Sequence, residues 1–143
     1  MRTRKLNHSV YQHQFHIVWG TKFRRKFIKE YVKEEIEKVF YGLVKKYPTL
    51  YFHTINTDRD HIHIQVEIDP DTSISTLVKR LKWYTSIKLK KRFPFINKMY
   101  LGGSIWSVGY FSSTVGLNEE QIKKYIQYQG QLDLPKTANL RLA

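Results

Sequence analysis

His61 and His63 are separated by one residue in the run HIHIQVEI. If that run is a strand, both imidazoles project from one face and Ile62 and Ile64 from the other, because side chains alternate along extended backbone. Two imidazoles about 7 Å apart along a strand can share one divalent ion, provided a third ligand arrives from another element. Imidazole suits zinc, copper, nickel and iron, and tolerates manganese or magnesium when oxygen ligands and phosphates complete the sphere. The same spacing also suits two exposed histidines on the polar face of an amphipathic strand, so the pair does not decide the matter alone. A second candidate lies in LNEEQIKKYIQYQGQ, near the C-terminus. There Tyr125 and Gln129 are four residues apart, neighbours on one helix face, beside an apolar stripe of Ile122 and Ile126. Tyrosine can act as a covalent nucleophile, but a phenol with a pKa of about 10 must be activated. Lys123, Lys124 and a metal-bound phosphate are the groups expected to lower that cost. Gln129 offers an amide oxygen as the third ligand. Tyr128 competes for the role but has no glutamine four residues on. An isolated Tyr125 would read as a packing aromatic; the histidine strand is what raises its standing.

The other four histidines carry less. His13 and His16, three apart in a strand, point to opposite faces, His8 lies in the N-terminal arm, and His53 sits on a neighbouring strand. All four are expected to be structural or solvent-exposed, with His53 flanking the histidine pair. No helix spaces His and Glu as a zinc protease requires, and there is no pair of His-x-Thr or His-x-Ser motifs on separate strands to support a two-histidine phosphodiesterase.

The elements that must carry these groups follow from hydropathy patterns. His13 to Thr21, rich in aromatic and β-branched residues, reads as a first strand. From about Ile28 to Tyr47, Val32, Ile36, Val39, Phe40, Leu43 and Val44 recur at the period of one helix face, and Pro48 stops the helix. Leu50 to Asp58 and His61 to Ile68 alternate as strands do and form a hairpin through Arg59-Asp60. Thr72 or Ser73 caps a helix whose apolar set is Ile74, Leu77, Val78, Leu81, Tyr84 and Ile87. Pro94 and Gly102-Gly103 mark a loop. Ile105 to Val115 reads as a strand bent at Gly109. A last helix starts near Asn118, with Glu119 and Glu120 suiting its first turn, and ends near Gln129 at Gly130. Without the last helix, this order is the split βαβ pattern, ferredoxin-like or RRM-like, of an antiparallel sheet with helices on one face. The expected class is therefore α+β, with a C-terminal helix carrying the nucleophile. Residues 1–143 read as one domain, with 132–143 as a flexible tail.

Composition narrows the partners. Twenty-five Lys and Arg against twelve Asp and Glu give a formal charge of +13, spread in clusters along the chain. A polyanion is the economical partner, since each neutralised phosphate releases counterions. Ten Tyr, eight Phe and three Trp add faces on which unpaired bases could stack. The absence of cysteine removes disulfides, thiolate catalysis and cysteine-ligated zinc. Nothing approaches the roughly 18 apolar residues of a membrane span, and MRTRKLNHS has no apolar region behind it to make a signal peptide. A cytoplasmic protein without membrane partners is expected.

At this point the chain resembles a known family. HIHI at 61 to 64 matches the His-hydrophobic-His motif of the HUH nucleases, and a late helix with Tyr followed four residues on by Gln resembles the single-tyrosine transposases of the insertion-sequence 200/605 group. HIVWGTKFRRKFI, LKWYTSIKLKKRFP and IWSVGYFSSTVG agree, so that the resemblance spans about residues 8 to 131. It implies cleavage and rejoining of single-stranded DNA at mobile-element ends without a nucleotide cofactor. Tyr125 would attack the scissile phosphate to give a 5′-phosphotyrosine bond and a free 3′-hydroxyl. A magnesium or manganese ion held by His61, His63 and Gln129 would polarise that phosphate. The resemblance further implies a homodimer with shared active sites and recognition of DNA hairpins. Lys22, Arg24, Arg25, Lys79 and Arg80 are candidate phosphate contacts. A domesticated or replication-type HUH nickase, and a split βαβ nucleic-acid-binding module without chemistry, are the competing readings.

Overall fold

The computed structural model describes residues 4–6, 9–11 and 14–133, the first two stretches as backbone alone. Those two are short strands, β1 (Arg4–Leu6) and β2 (Ser9–Tyr11), which pair antiparallel with Lys5 opposite Val10. His8, His13 and residues 134–143 of the expected tail lie outside the described residues.

The main sheet is built from β3 (Gln14–Gly20), β4 (Tyr51–Asp58), β5 (His61–Glu67) and β6 (Phe111–Ser113), in the order β4-β5-β3-β6 with every pairing antiparallel. Counted from β3, the spatial order is that of a split βαβ sheet. Helix α1 (Glu30–Lys46) crosses from β3 to β4, and α2 (Ile74–Arg92) follows β5. Val32, Ile36, Phe40 and Leu43 of α1 and Leu77, Val78, Leu81 and Leu89 of α2 are buried on the sheet face that presents Ile17, Trp19, Ile62, Ile64 and Val66. Ser73 caps α2, its hydroxyl accepting from the Thr76 N–H at 3.0 Å.

Three expectations need correction. Ile87 does not belong to the buried stripe of α2 and is exposed; Thr85, Ser86 and Leu89 are buried instead. The polar pair is tolerated because Trp106 Nε1 donates to Thr85 Oγ1 at 2.8 Å and the Ile105 N–H to Ser86 Oγ at 3.3 Å. Pro94 begins a short helix, α3 (Pro94–Met99), rather than a loop. At the first helical position proline lacks only an N–H that would have had no partner. The run from Ile105 to Val115 is strand over Phe111–Ser113 only, plus an isolated bridge from Trp106 to Thr21. Gly109, at φ +91°, breaks it in a conformation that suits glycine.

The last helix, α4 (Glu119–Leu132), opens with Asn118 and Gln121 bonded reciprocally as a capping box. It lies on the opposite face of the sheet from α1 and α2. Ile122 and Ile126 pack on Val18, and Val18 pairs with His63, so these side chains share a face. The expectation of helices on one face thus holds for α1 and α2, and α4 adds a layer. It continues past Gly130 and is capped by Asp133. The glycine serves packing instead: a Cβ there would come within 2.7 Å of Arg24 Cγ.

Candidate active site

Strand alternation places His61 and His63 together on the α4 face of β5, with Ile62 and Ile64 fully buried on the other. The register sets their neighbours: His61 pairs with Gly20 and Asp58, His63 with Val18 and Asn56. His61 Nδ1 donates to Asp60 Oδ1 at 2.8 Å, which leaves Nε2 as the lone-pair nitrogen of a neutral ring. Asp60 was not legible as a site residue; the available signal is a carboxylate one position before the first histidine, at the turn. The His61 bond holds the Asp60 carboxyl below the usual range, with Arg24 contributing. His63 Nε2 stands 3.4 Å from His16 Nδ1. Burial lowers the pKa of both rings, and His16 and His61 lower His63 further, favouring the neutral form that binds cations. His16 is therefore a neighbour of the pair, which its spacing from His13 concealed. His53 does not flank it: a bulge between Phe52 and Thr54 sends it to Glu67, at 2.8 Å, at the other end of β5.

Gln129 is 1% exposed. Its Oε1 accepts from the Gly20 N–H at 2.6 Å, and its Nε2 donates to Gly109 O at 3.0 Å and Val108 O at 3.2 Å. Gly20 is the cross-strand partner of His61, and its missing side chain leaves room for the amide: a Cβ would lie 2.9 Å from Oε1. The amide oxygen and the imidazoles of His61 and His63 thus stand on one face of the sheet. The oxygen has a second lone pair besides the one that accepts from Gly20. Two imidazole nitrogens with an amide oxygen suit a divalent ion that keeps open positions for phosphate oxygens. Among the described residues no three His, Asp or Glu side chains cluster as a metal site, so a third ligand beside the two imidazoles would have to be the oxygen of Gln129.

Two clefts meet at His61. One, of about 430 Å³, is lined by Arg24, Asp60, His61, Lys123 and Ile126 among others; its neighbour, of about 380 Å³, by Asn56, Asp58, His61, His63 and Lys123. Tyr125 lines neither. Its ring sits against Phe111, 5.6 Å between centroids, and its hydroxyl is directed toward Gly109. Burial pushes its phenol up to about 12, opposed by hydrogen bonding to Gln129. That is the reverse of the activation expected from Lys123 and Lys124. Lys123 faces the histidine clefts and Lys124 pairs with Glu120 at 3.4 Å. Tyr128 is 54% exposed.

Of the basic candidates, Arg24 approaches Asp60 at 3.7 Å. Arg25 lies over the Tyr100 ring and donates to Met99 O, while Arg80 lies 4.6 Å from the Tyr47 ring centre. Lys22 stands over Phe23. Lys79 lines an exposed groove beside Trp83 on α2. No described helix is long and apolar enough to cross a membrane.

Comparison with known proteins settles the family. The profile of the family described as "Transposase IS200 like" matches residues 9–129. The chain belongs to the IS200-like transposase family. It is similar to the transposase for insertion sequence element IS200 of Salmonella typhimurium, 28% identical over 130 residues, covering 91% of this chain and 85% of that one. It is also 27% identical over 121 residues to the ISDra2 transposase TnpA of Deinococcus radiodurans, covering 84% and 86% of the two chains. The fold agrees with a crystal structure of a candidate transposase from Deinococcus radiodurans, with a TM-score of 0.78 and 24% identity over 88% of this chain and 97% of that one. A REP-associated tyrosine transposase bound to a REP hairpin gives 0.55 and 10%, over 81% of this chain and 63% of that one. As an IS200-like transposase, this protein is a DNA-processing enzyme with an antiparallel α+β core.

Proposed function

We propose that this IS200-like transposase cuts and rejoins single-stranded DNA at mobile-element ends, using Tyr125 as nucleophile and hairpins as recognition elements. The observation that carries the reading is that α4, bearing Tyr125 and Gln129, packs by Ile122 and Ile126 on the face that presents His61 and His63. His61, His63 and Gln129 would hold a magnesium or manganese ion. The chemistry such an ion supplies when bound is Lewis-acid polarisation of the scissile phosphate. The phenol oxygen of Tyr125 forms the new P–O bond and gives up its proton; the 3′ oxygen leaves and takes one, so that a 5′-phosphotyrosine and a free 3′-hydroxyl result. The reverse step rejoins the strand, and the ester energy kept in the tyrosine bond removes any need for ATP. Hairpin recognition is supported by the hairpin-bound relative and by the charge of +13.

Because Tyr125 faces Phe111 and Gly109 rather than the clefts, the tyrosine reaches the histidines by movement of α4 or from a second copy of the chain. A homodimer with shared sites is the reading we favour. The test is a labelled single strand carrying a hairpin and cleavage site, incubated with manganese and then denatured. Wild type should give a covalent protein–DNA adduct and Tyr125→Phe none. An adduct that persists in Tyr125→Phe sinks the nucleophile assignment, and full-rate adduct formation by His61→Ala removes the metal role of the pair.

A further inference from the structure

Arg24 occupies a position that a phosphate contact alone does not explain. Phe23 and Arg24 both have positive φ, 62° and 53°, a conformation non-glycine residues adopt only when their surroundings enforce it. The enforcing groups come from α4 and its cap. Asp133 Oδ2 accepts from the Phe23 N–H at 2.8 Å and from the Ser107 hydroxyl at 2.6 Å. Gly130 leaves space that the Arg24 methylenes fill, with a Cβ there falling on Arg24 Cδ and 2.7 Å from Cγ. From that seat the guanidinium reaches Asp60 Oδ2 at 3.7 Å, while Asp60 Oδ1 accepts from His61 Nδ1 at 2.8 Å. One carboxylate therefore links an arginine wedged under the tyrosine helix to the first histidine of the pair.

We propose that Arg24 is a positioning residue: clamped against Gly130 of α4, it fixes Asp60 and thereby the Nδ1–H tautomer and ring orientation of His61. Seating of α4 is then felt at the nitrogen that faces the cleft. The carboxylate–histidine link is the kind of outer support that sets ligand geometry and affinity at metal sites. The metal half of this inference rests on the reading that His61 is a ligand; the tautomer half does not.

The test uses the full-length protein without DNA, so a phosphate-contact role of Arg24 cannot contribute. Long-range proton–nitrogen NMR spectra of 15N-histidine protein report the His61 tautomer, and calorimetric titration with Mn2+ reports affinity. Wild type should show the Nδ1–H form. Gly130→Ala and Arg24→Gln should each shift His61 toward the Nε2–H form and weaken Mn2+ binding by about three- to ten-fold, less than the roughly ten- to hundred-fold expected of Asp60→Asn. Arg24→Lys, which keeps the charge beside Asp60, should recover part of both. Gly130→Ala is informative because alanine favours the helix itself, so a merely structural effect would not loosen His61. Should that variant fail to fold, Arg24→Gln, at a side chain 44% exposed, decides. An unchanged tautomer and unchanged Mn2+ affinity in folded Arg24→Gln overturn the proposal. If wild type binds no Mn2+, the ligand reading of His61 fails, and the tautomer comparison still decides the role of Arg24.

Discussion

At the scale of residues, the site is held by groups that spend their polarity internally. Gln129 accepts from Gly20 and donates to the carbonyls of residues 108 and 109. Lys82 joins the same segment from α2, its ammonium donating to Ser107 O at 2.7 Å and Gly109 O at 2.6 Å. Burial pushes Lys82 from 10.5 down to about 8, with the nearby Asp133 opposing. The consequence for stability has a definite sign. Between about pH 8 and 10.5 the unfolded chain keeps this proton and the folded chain sheds it, so the unfolded state binds more protons and stability rises with pH. Wild type should therefore gain in melting temperature relative to Lys82→Met between pH 7.5 and 9.5 (roughly the span over which the folded amine titrates); a constant difference contradicts this. The spacing that singles out His61, His63, Tyr125 and Gln129 as candidates is legible because it is a local property of a strand and a helix. His16 and Asp133 were not legible, because their partners lie 47 and 110 positions away, in the His16–His63 and Phe23–Asp133 pairs; Asp60 adjoins His61, but its link to Arg24 appears only in the fold.

Among the elements, α4 shows what packing adds to pattern. Its amphipathic stripe and capping box are written in LNEEQIKKYIQYQG, and the structure realises both. Its end is not: Gly130 reads as a stop signal, yet the helix runs on to Leu132 because the glycine is used for close approach of Arg24. Gly20 plays a matching part in β3, where absence of a side chain admits Gln129. Gly20→Ala places a Cβ 2.9 Å from Gln129 Oε1 and 3.2 Å from Ile126 Cδ1, and overpacking of this kind costs about 1–3 kcal/mol. The strain falls on the α4 contact rather than on the sheet. Amide exchange in α4 should quicken by about ten-fold or more, since each 1.4 kcal/mol is a factor of ten, with β3 and β5 little changed. Uniform acceleration across the sheet would contradict this placement. Ile87 escaped the hydropathy pattern for a related reason: the segment 105–107 folds over α2 and supplies hydrogen bonds to Thr85 and Ser86.

For the whole molecule, a tyrosine that lines neither histidine cleft makes sharing between copies a measurable matter. Mixing Tyr125→Phe with His61→Ala, each inert alone, should restore adduct formation to about a quarter of wild type. Random exchange makes half the two-fold dimers mixed, each with one complete site of two. No recovery after subunit exchange would assign the tyrosine to its own chain. The sequence by itself determined the sheet order's ingredients, the basic character, the histidine strand and the tyrosine helix, because periodicity, charge and caps are local and additive. Only the tertiary structure decided that α4 lies on the histidine face, that Gln129 meets Gly20, that Arg24 is wedged between Gly130 and Asp60, and that Tyr125 points toward β6. Those outcomes depend on contacts between different elements, most of them roughly forty to over a hundred positions apart, where shape complementarity and hydrogen-bond satisfaction choose among arrangements that the local pattern allows equally.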